Sequence, residues 1–364
     1  MKKLTLLVSV FVLVSSPILS AQDHPLTSFG LGMDGVVTSV ASDANGNFYF
    51  GGLSSVAGTT DIQNIIKYDG ENWVNIGRTA SFATFVRDME VAGEYLYVAF
   101  QRSNATSSTN EIITPGGATI SVESGLGAYH IPSGTWVEVE LPDGERYNFF
   151  SLTSNGATAY AGTGRIFTLV NGVADYVAPG KPYSEWSFSG GTLNSIEYHD
   201  GKIYVAGRFA RLYNHEDNED PSVETRHVAV FNLETNSWEA MGEGFSDRVK
   251  SIHITDEGEI YAGGEMEEIL DGENPITTNG FAKWDGAGHW EPVGQGIDPE
   301  ESSSRIESIT SEGENVYVAG RFEYVLQSDG TEVETNNFAV WNGQQWSLDE
   351  FGNSITGSGV KWEI

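Results

Sequence analysis

Apolar and polar residues alternate with a period of two through short runs such as Val249-Lys-Ser-Ile-His-Ile254, the mark of half-buried strands. One phrase repeats along the chain. It runs from an apolar alternation through a tight turn to an apolar-Tyr-apolar strand ending in Gly, then a variable stretch, another strand, a turn and a Trp. The turn-and-Tyr part is NGNFYFGG, GEYLYVAF, GATAYAGT, GKIYVAGR, GEIYAGGE and ENVYVAGR, which sets Tyr49, Tyr97, Tyr160, Tyr204, Tyr261 and Tyr317 at one equivalent position. Gly52, Gly207, Gly264 and Gly320 follow three residues on, whereas Phe100 and Thr163 depart. A repeated strand-end Gly points to close backbone approach, expected here where strands crowd toward a shared axis. The second part places Trp73, Trp136, Trp238, Trp290 and Trp346 after Asp-Gly, Ser-Gly, Thr-Asn or Asn-Gly turns, with Tyr176 in the short third unit.

Each unit therefore predicts a four-stranded meander, beginning near Val37, Val86, Phe150, Leu193, Val249 and Ile306. A lone meander leaves two faces and two edges bare, and radial repetition covers them, so the fold class is all-β, a β-propeller of four-stranded blades. About six blades are expected. Phe29-Gly-Leu-Gly-Met33 resembles the end of a unit and Val360–Ile364 a beginning, so the chain ends could share a blade, with seven as the competing count. An open β-solenoid is the other architecture, but its repeat is shorter.

Composition fits that picture: 364 residues carry 43 Gly, 12% aromatics and no Cys. Lys2 and Lys3, the apolar run Leu4–Val14 and the small residues Ser15–Ala21 read as a signal peptide over 1–21, leaving 22–364 as one propeller domain. The apolar run is too short to span a bilayer, and no later segment matches it, so an exported chain without a transmembrane segment is expected, in the periplasm, at the cell surface or outside. The formal charge of −32 argues against nucleic acid as a partner. Without Cys there is no disulfide, thiolate metal site or cysteine nucleophile.

Val228-Ala-Val-Phe-Asn-Leu-Glu-Thr-Asn-Ser-Trp-Glu-Ala-Met241, following Ile203-Tyr-Val-Ala-Gly207, resembles a kelch repeat. Phe281-Ala-Lys-Trp-Asp-Gly286 with Trp290 and Val293-Gly-Gln-Gly296 is more similar to repeats of the fungal cortical cell-polarity marker family and of exported bacterial propellers. The resemblance covers nearly the whole mature chain and implies the fold, not an activity. Galactose oxidase has such repeats, but its copper chemistry needs a Cys that is absent here. A sialic-acid mutarotase of similar build implies proton transfer on a sugar, although its active residues find no match in this sequence.

Candidate chemistry is sparse. His130, His199, His215, His227, His253 and His289 fall in different units without metal-site spacing, and read as surface or turn residues. Just beyond the Tyr-strand Gly stand Gln101, Arg208, Glu265 and Arg321, with Arg165 one residue further in the third unit. They are candidates for an axial clamp on a carboxylate, or for pairing between blades. Connections from the second to the third strand are long and acidic: Ser103–Gly127, Ala210–Arg226, Glu267–Asn279 and Glu323–Asn336. Variable loops on one side of a repeated scaffold are where ligands bind. Asp217, Glu219 and Asp220 offer oxygen ligands suited to Ca²⁺, against a solvated acidic coat. The expected function is a non-enzymatic recognition scaffold at the cell envelope, binding carbohydrate or protein through the long-loop face. The alternative is a mutarotase or lyase, with Arg208 and Arg321 holding a sugar acid for Glu265 as acid/base.

Overall fold

The computed structural model describes residues 36–348 except 54–55, 58–59, 62–63, 81–83, 102–109, 143, 145, 178–181, 184–190, 214–221, 300–302 and 336. The signal-like segment, both chain ends proposed to share a blade, and Asp217, Glu219 and Asp220 lie outside the described residues. Among the described residues there is no helix, and none long and apolar enough to cross a membrane. The chain divides into two compact units. The first takes the described residues up to Phe149 together with Val170–Val173, and the second takes Phe150–Leu169 and those from Ala174 onward.

In the first unit, Val36–Ser42, Phe48–Leu53, Ile65–Tyr68 and Trp73–Thr79 pair in chain order. So do Phe85–Ala92, Tyr95–Gln101, Leu126–His130 and Thr135–Glu138. The second unit holds four more meanders, whose first strands are Ser151–Ser154, Thr192–His199, Val249–Ile254 and Arg305–Glu312. All are antiparallel, and they pack face on face with neighbours of their own unit through buried residues such as Val205, Ile252, Ala262 and Trp290. These are the blades of a β-propeller, six among the described residues.

The first strand of five blades carries a bulge. Pairing skips one residue between Val37 and Ser39, Val86 and Asp88, Leu193 and Ser195, Val249 and Ser251, and Ile306 and Ser308. The bulge explains the strand-end glycines. A Cβ on Gly207 would lie 2.0 Å from the Thr192 carbonyl oxygen; Gly52 and Gly320 face first-strand carbonyls in the same way, and Gly264 faces that of Arg248 just before its first strand. The crowding is thus between paired strands of one blade, not toward an axis. Thr163 stands in the third blade, whose first strand pairs without a bulge. Phe100 takes the position in the second blade, where the bulge is present, and nothing in the structure explains it. The preceding Gly of the pair serves the next blade: a Cβ on Gly263 would meet Ile306 at 2.7 Å.

Neighbouring first strands are joined by serine hydroxyls. Ser39 Oγ accepts the Met89 N–H; within the second unit Ser151, Ser195 and Ser251 accept the N–H groups of Ile196, Ile252 and Ile309. Outer strands are joined by indoles. Trp136 Nε1 donates to the Ile76 carbonyl and Trp290 Nε1 to that of Met241. Gly77, Gly242 and Gly294 leave room for Trp136, Trp290 and Trp346 of the following blade, which accounts for the first Gly of the Gly-x-Gly phrase.

The long connections are not irregular loops but β-hairpins, such as Glu111–Ile113 with Thr119–Ser121 and Tyr324–Leu326 with Glu332–Glu334. Each is held by one buried apolar residue: Ile112, Leu212, Ile269 or Val325. Each also pairs backward, onto the segment leaving the preceding blade of its unit: Ile112 with Thr79, Leu212 with Pro182, Ile269 with Phe245 and Val325 with Ile297.

His227 departs from the surface role expected of it, being only 4% exposed. It opens the third strand of its blade at φ 72°, where other blades use Asn64 at 72° and Asn337 at 65°. Its Nδ1 accepts the Phe209 N–H as Asn337 Oδ1 accepts that of Phe322. Burial pushes its pKa down to about 4, with Arg226 and Arg208 adding to the shift and Asp247 opposing it.

Two outcomes are expected. Gly207→Ala should lower the unfolding free energy by about 3 kcal/mol, because a backbone carbonyl cannot yield without undoing the bulge. Gly116→Ala, whose Cβ would meet nothing nearer than 3.9 Å, should change it by less than about 0.5 kcal/mol in the same denaturant titration. For His227, the unfolded chain binds a proton near pH 6.5 that the folded chain refuses until about pH 4. Its contribution is therefore full above pH 6.5 and lost as pH falls toward 4, a loss of about 3 kcal/mol. His227→Asn should flatten the acid side of a stability–pH profile by that amount while remaining folded at pH 7.5.

Candidate functional site

The residue skipped at each bulge has no ladder partner opposite it, so the bulge re-aims a side chain at one end of the first strand. In the second unit these residues are Asn194, Lys250 and Glu307. The last two sit in a chain of alternating charge built from two successive blades. Arg248 grips Glu265 with two bonds, Nη2 to Oε1 at 2.5 Å and Nε to Oε2 at 3.1 Å. Lys250 Nζ lies 3.6 Å from Glu265 Oε1 and 3.3 Å from Glu307 Oε2, and Arg305 Nε donates to Glu307 Oε1. Three cations meet two carboxylates in a chain whose formal charge is −32. Burial alone would raise the Glu265 carboxyl; the Arg248 hydrogen bond and the charges of Arg248, Lys250 and Arg305 outweigh it and hold it below the ordinary carboxylate range. Glu265 is therefore ionised at neutral pH and has no proton to give as an acid.

The other residues singled out from the sequence occupy the same station but different surroundings. Arg208 is exposed opposite Thr192, and Arg321 is exposed opposite Arg305 in the ladder. Arg165 lies over the Tyr176 ring with its guanidinium carbon 5.0 Å from the centroid, and its buried Nε has no hydrogen-bond partner among the described residues. In the first unit the bulge residue Arg87 donates to Gln101 Oε1 and stacks 5.2 Å over Phe85. Burial pushes its guanidinium pKa down. The structure thus brings Glu265 together with Arg248, Lys250 and Arg305, none of which the sequence reading selected. The signal for them was present: two polar residues in succession, Lys250-Ser251 and Glu307-Ser308, interrupt an otherwise alternating strand, which is how a bulge reads in sequence.

In an antiparallel meander the start of the first strand and the end of the second lie together, and the second strand runs straight into its hairpin. The charge array therefore shares its end of the blade with the hairpins Glu268–Ile269/Ile276–Thr277 and Tyr324–Leu326/Glu332–Glu334. Among the described residues no group of three or more His, Asp or Glu is placed to hold a metal.

No family model matches the chain, and no curated protein does. Among solved structures it is similar to the extracellular domain of a one-component system of B. thetaiotaomicron, at 14% identity and TM-score 0.39 over 83% of this chain and 38% of that one. This chain thus spans about two fifths of that protein's length. It is also similar to a chain of the mitotic checkpoint complex, at 8% identity and TM-score 0.48 over 93% and 98%. A third likeness is the WD40 β-propeller domain of Doa1, at 12% and 0.42 over 87% and 81%. Likenesses this distant carry no argument about function.

The Arg248–Glu265 pair is half-exposed, so its worth should be modest and sensitive to salt. A double-mutant cycle with Arg248→Ala and Glu265→Ala is expected to give a coupling of about 1 kcal/mol at low ionic strength, falling by roughly half in 0.5 M NaCl.

Proposed function

We propose that the protein is an exported binding scaffold that engages an acidic carbohydrate at the hairpin-bearing end of its blades, with Arg248, Lys250 and Arg305 as partners for the sugar carboxylate. The observation that carries this reading is the convergence of those three cations on one end of two adjacent first strands, in a chain with 19 Lys and Arg against 51 Asp and Glu. Arginine suits the role because its fork matches a carboxylate with two bonds. Glu265 and Glu307 hold the cations in place before a ligand arrives, which reduces the ordering cost of binding.

A mutarotase or lyase at the same place would need a group able to give up and take back a proton near neutrality. Glu265, held below the ordinary carboxylate range, is poorly matched to that task. Binding is the better use of the site.

A glycan array of uronate- and sialate-bearing oligosaccharides beside their neutral counterparts tests this, followed by calorimetry on the best ligand. Acidic glycans should bind at least tenfold more tightly than neutral ones, and Arg248→Ala with Arg305→Ala should remove that preference while the protein stays folded. Equal binding of neutral glycans, or capture of an envelope protein alone that is indifferent to both substitutions, would overturn the proposal.

A further inference from the structure

At the other end of the same first strands, three side chains from three successive blades of the second unit stand in line. His253 Nε2 is 2.8 Å from Ser311 Oγ, and His253 Nδ1 is 3.4 Å from Glu197 Oε2. Glu197 Oε2 is in turn fixed by the Ile254 N–H at 3.2 Å. The imidazole is 13% exposed and Ser311 is half-buried, so both are reachable from solvent.

The ladder between first strands does not account for this rung. Elsewhere in the second unit, side-chain oxygens of one blade meet backbone N–H groups of the next, as Ser195 does with Ile252 and Thr153 with Tyr198. Only the lower half of that pattern appears here, at Glu197 and Ile254. His253 reaches instead for a side-chain hydroxyl, and its second nitrogen faces a carboxylate. A carboxylate opposite Nδ1 favours the Nδ1–H tautomer, which leaves Nε2 as an acceptor directed at Ser311.

We propose that Ser311, His253 and Glu197 form an acyl-transfer site that hydrolyses carboxylic esters. Ser311 Oγ bonds to the ester carbonyl carbon as His253 Nε2 takes its proton. When the adduct collapses, the bond to the alcohol oxygen breaks and His253 returns the proton to that oxygen, leaving an acylated serine. Water then attacks the acyl carbon and gives its proton to His253, and the carboxylic acid departs as Ser311 Oγ recovers it. Glu197 touches no reacting atom; it is a positioning residue that orients the imidazole and balances its transient charge. All three residues stand on paired strands, which gives the constellation the rigidity such chemistry requires. The site is separate from the charge array around Glu265, and failure of glycan binding would leave it untouched.

The test begins with the unaltered full chain, so that no variant has to fold for the result to be read. A biotinylated fluorophosphonate at pH 7.5, followed by peptide mass mapping, should place a single adduct on Ser311. Hydrolysis of p-nitrophenyl acetate should fall at least 100-fold in both Ser311→Ala and His253→Ala. Glu197→Gln should lower kcat tenfold or more with little change in KM, and should shift the acid limb of the pH–rate profile, which a purely structural strut would not do. No adduct on Ser311 under conditions that label a control serine hydrolase, or an unchanged rate in Ser311→Ala, would overturn the assignment.

Discussion

The steric lock between a first-strand bulge and a second-strand glycine underlies much of this molecule. A carbonyl oxygen occupies the space a Cβ would need, at 2.0 Å for Gly207 and 2.1 Å for Gly320, and the bulge goes with a glycine in four of the five blades that carry it, Phe100 being the exception. The extra residue then has no partner across the ladder and is free to carry chemistry. Arg87, Lys250 and Glu307 all stand on that extra position. One backbone irregularity thus maintains a polar station in strands that are otherwise committed to burial.

Stability and specificity come from different layers. The buried faces supply the bulk of the burial energy through residues such as Val205, Val249 and Ile309, and that term is indifferent to which blade lies beside which. Directed contacts add the order. Serine hydroxyls tie first strands together, indoles tie outer strands, and hairpins clip onto the preceding blade. Trp346 shows the limit of the pattern: its buried Nε1 has no partner among the described residues, although its ring fills the place that Trp136 and Trp290 fill.

The repeat was legible because its physical causes are local. Turn glycines, alternating strands and the late Trp each leave a mark within a few residues, and the blade strands fall where that phrase placed them. The hairpins within the long connections were missed because their strands span only two or three residues around one apolar position, such as Ile269, too short for any alternation to register. The site was half legible. Glu265 stood out by its place after a strand-end Gly, but its partners Arg248, Lys250 and Arg305 stand at or just before the start of first strands, and only pairing register reveals that they meet it. Likewise nothing in one sequence links Glu197, His253 and Ser311, each some 57 residues from the next, until successive repeats are laid side by side.

The backward reach of the hairpins bears on how the chain is assembled as it is made. The four long hairpins find their partners upstream: Ile112 on Thr79, Leu212 on Pro182, Ile269 on Phe245 and Val325 on Ile297. A polypeptide emerging N-terminus first therefore presents each acceptor segment before the hairpin that will cover it, and a blade that bears such a hairpin arrives carrying the clip that fastens it to the one already formed. Growth in that direction leaves the face of the newest blade as the one awaiting a neighbour within a unit, which shortens the interval in which exposed apolar surface could meet that of another chain.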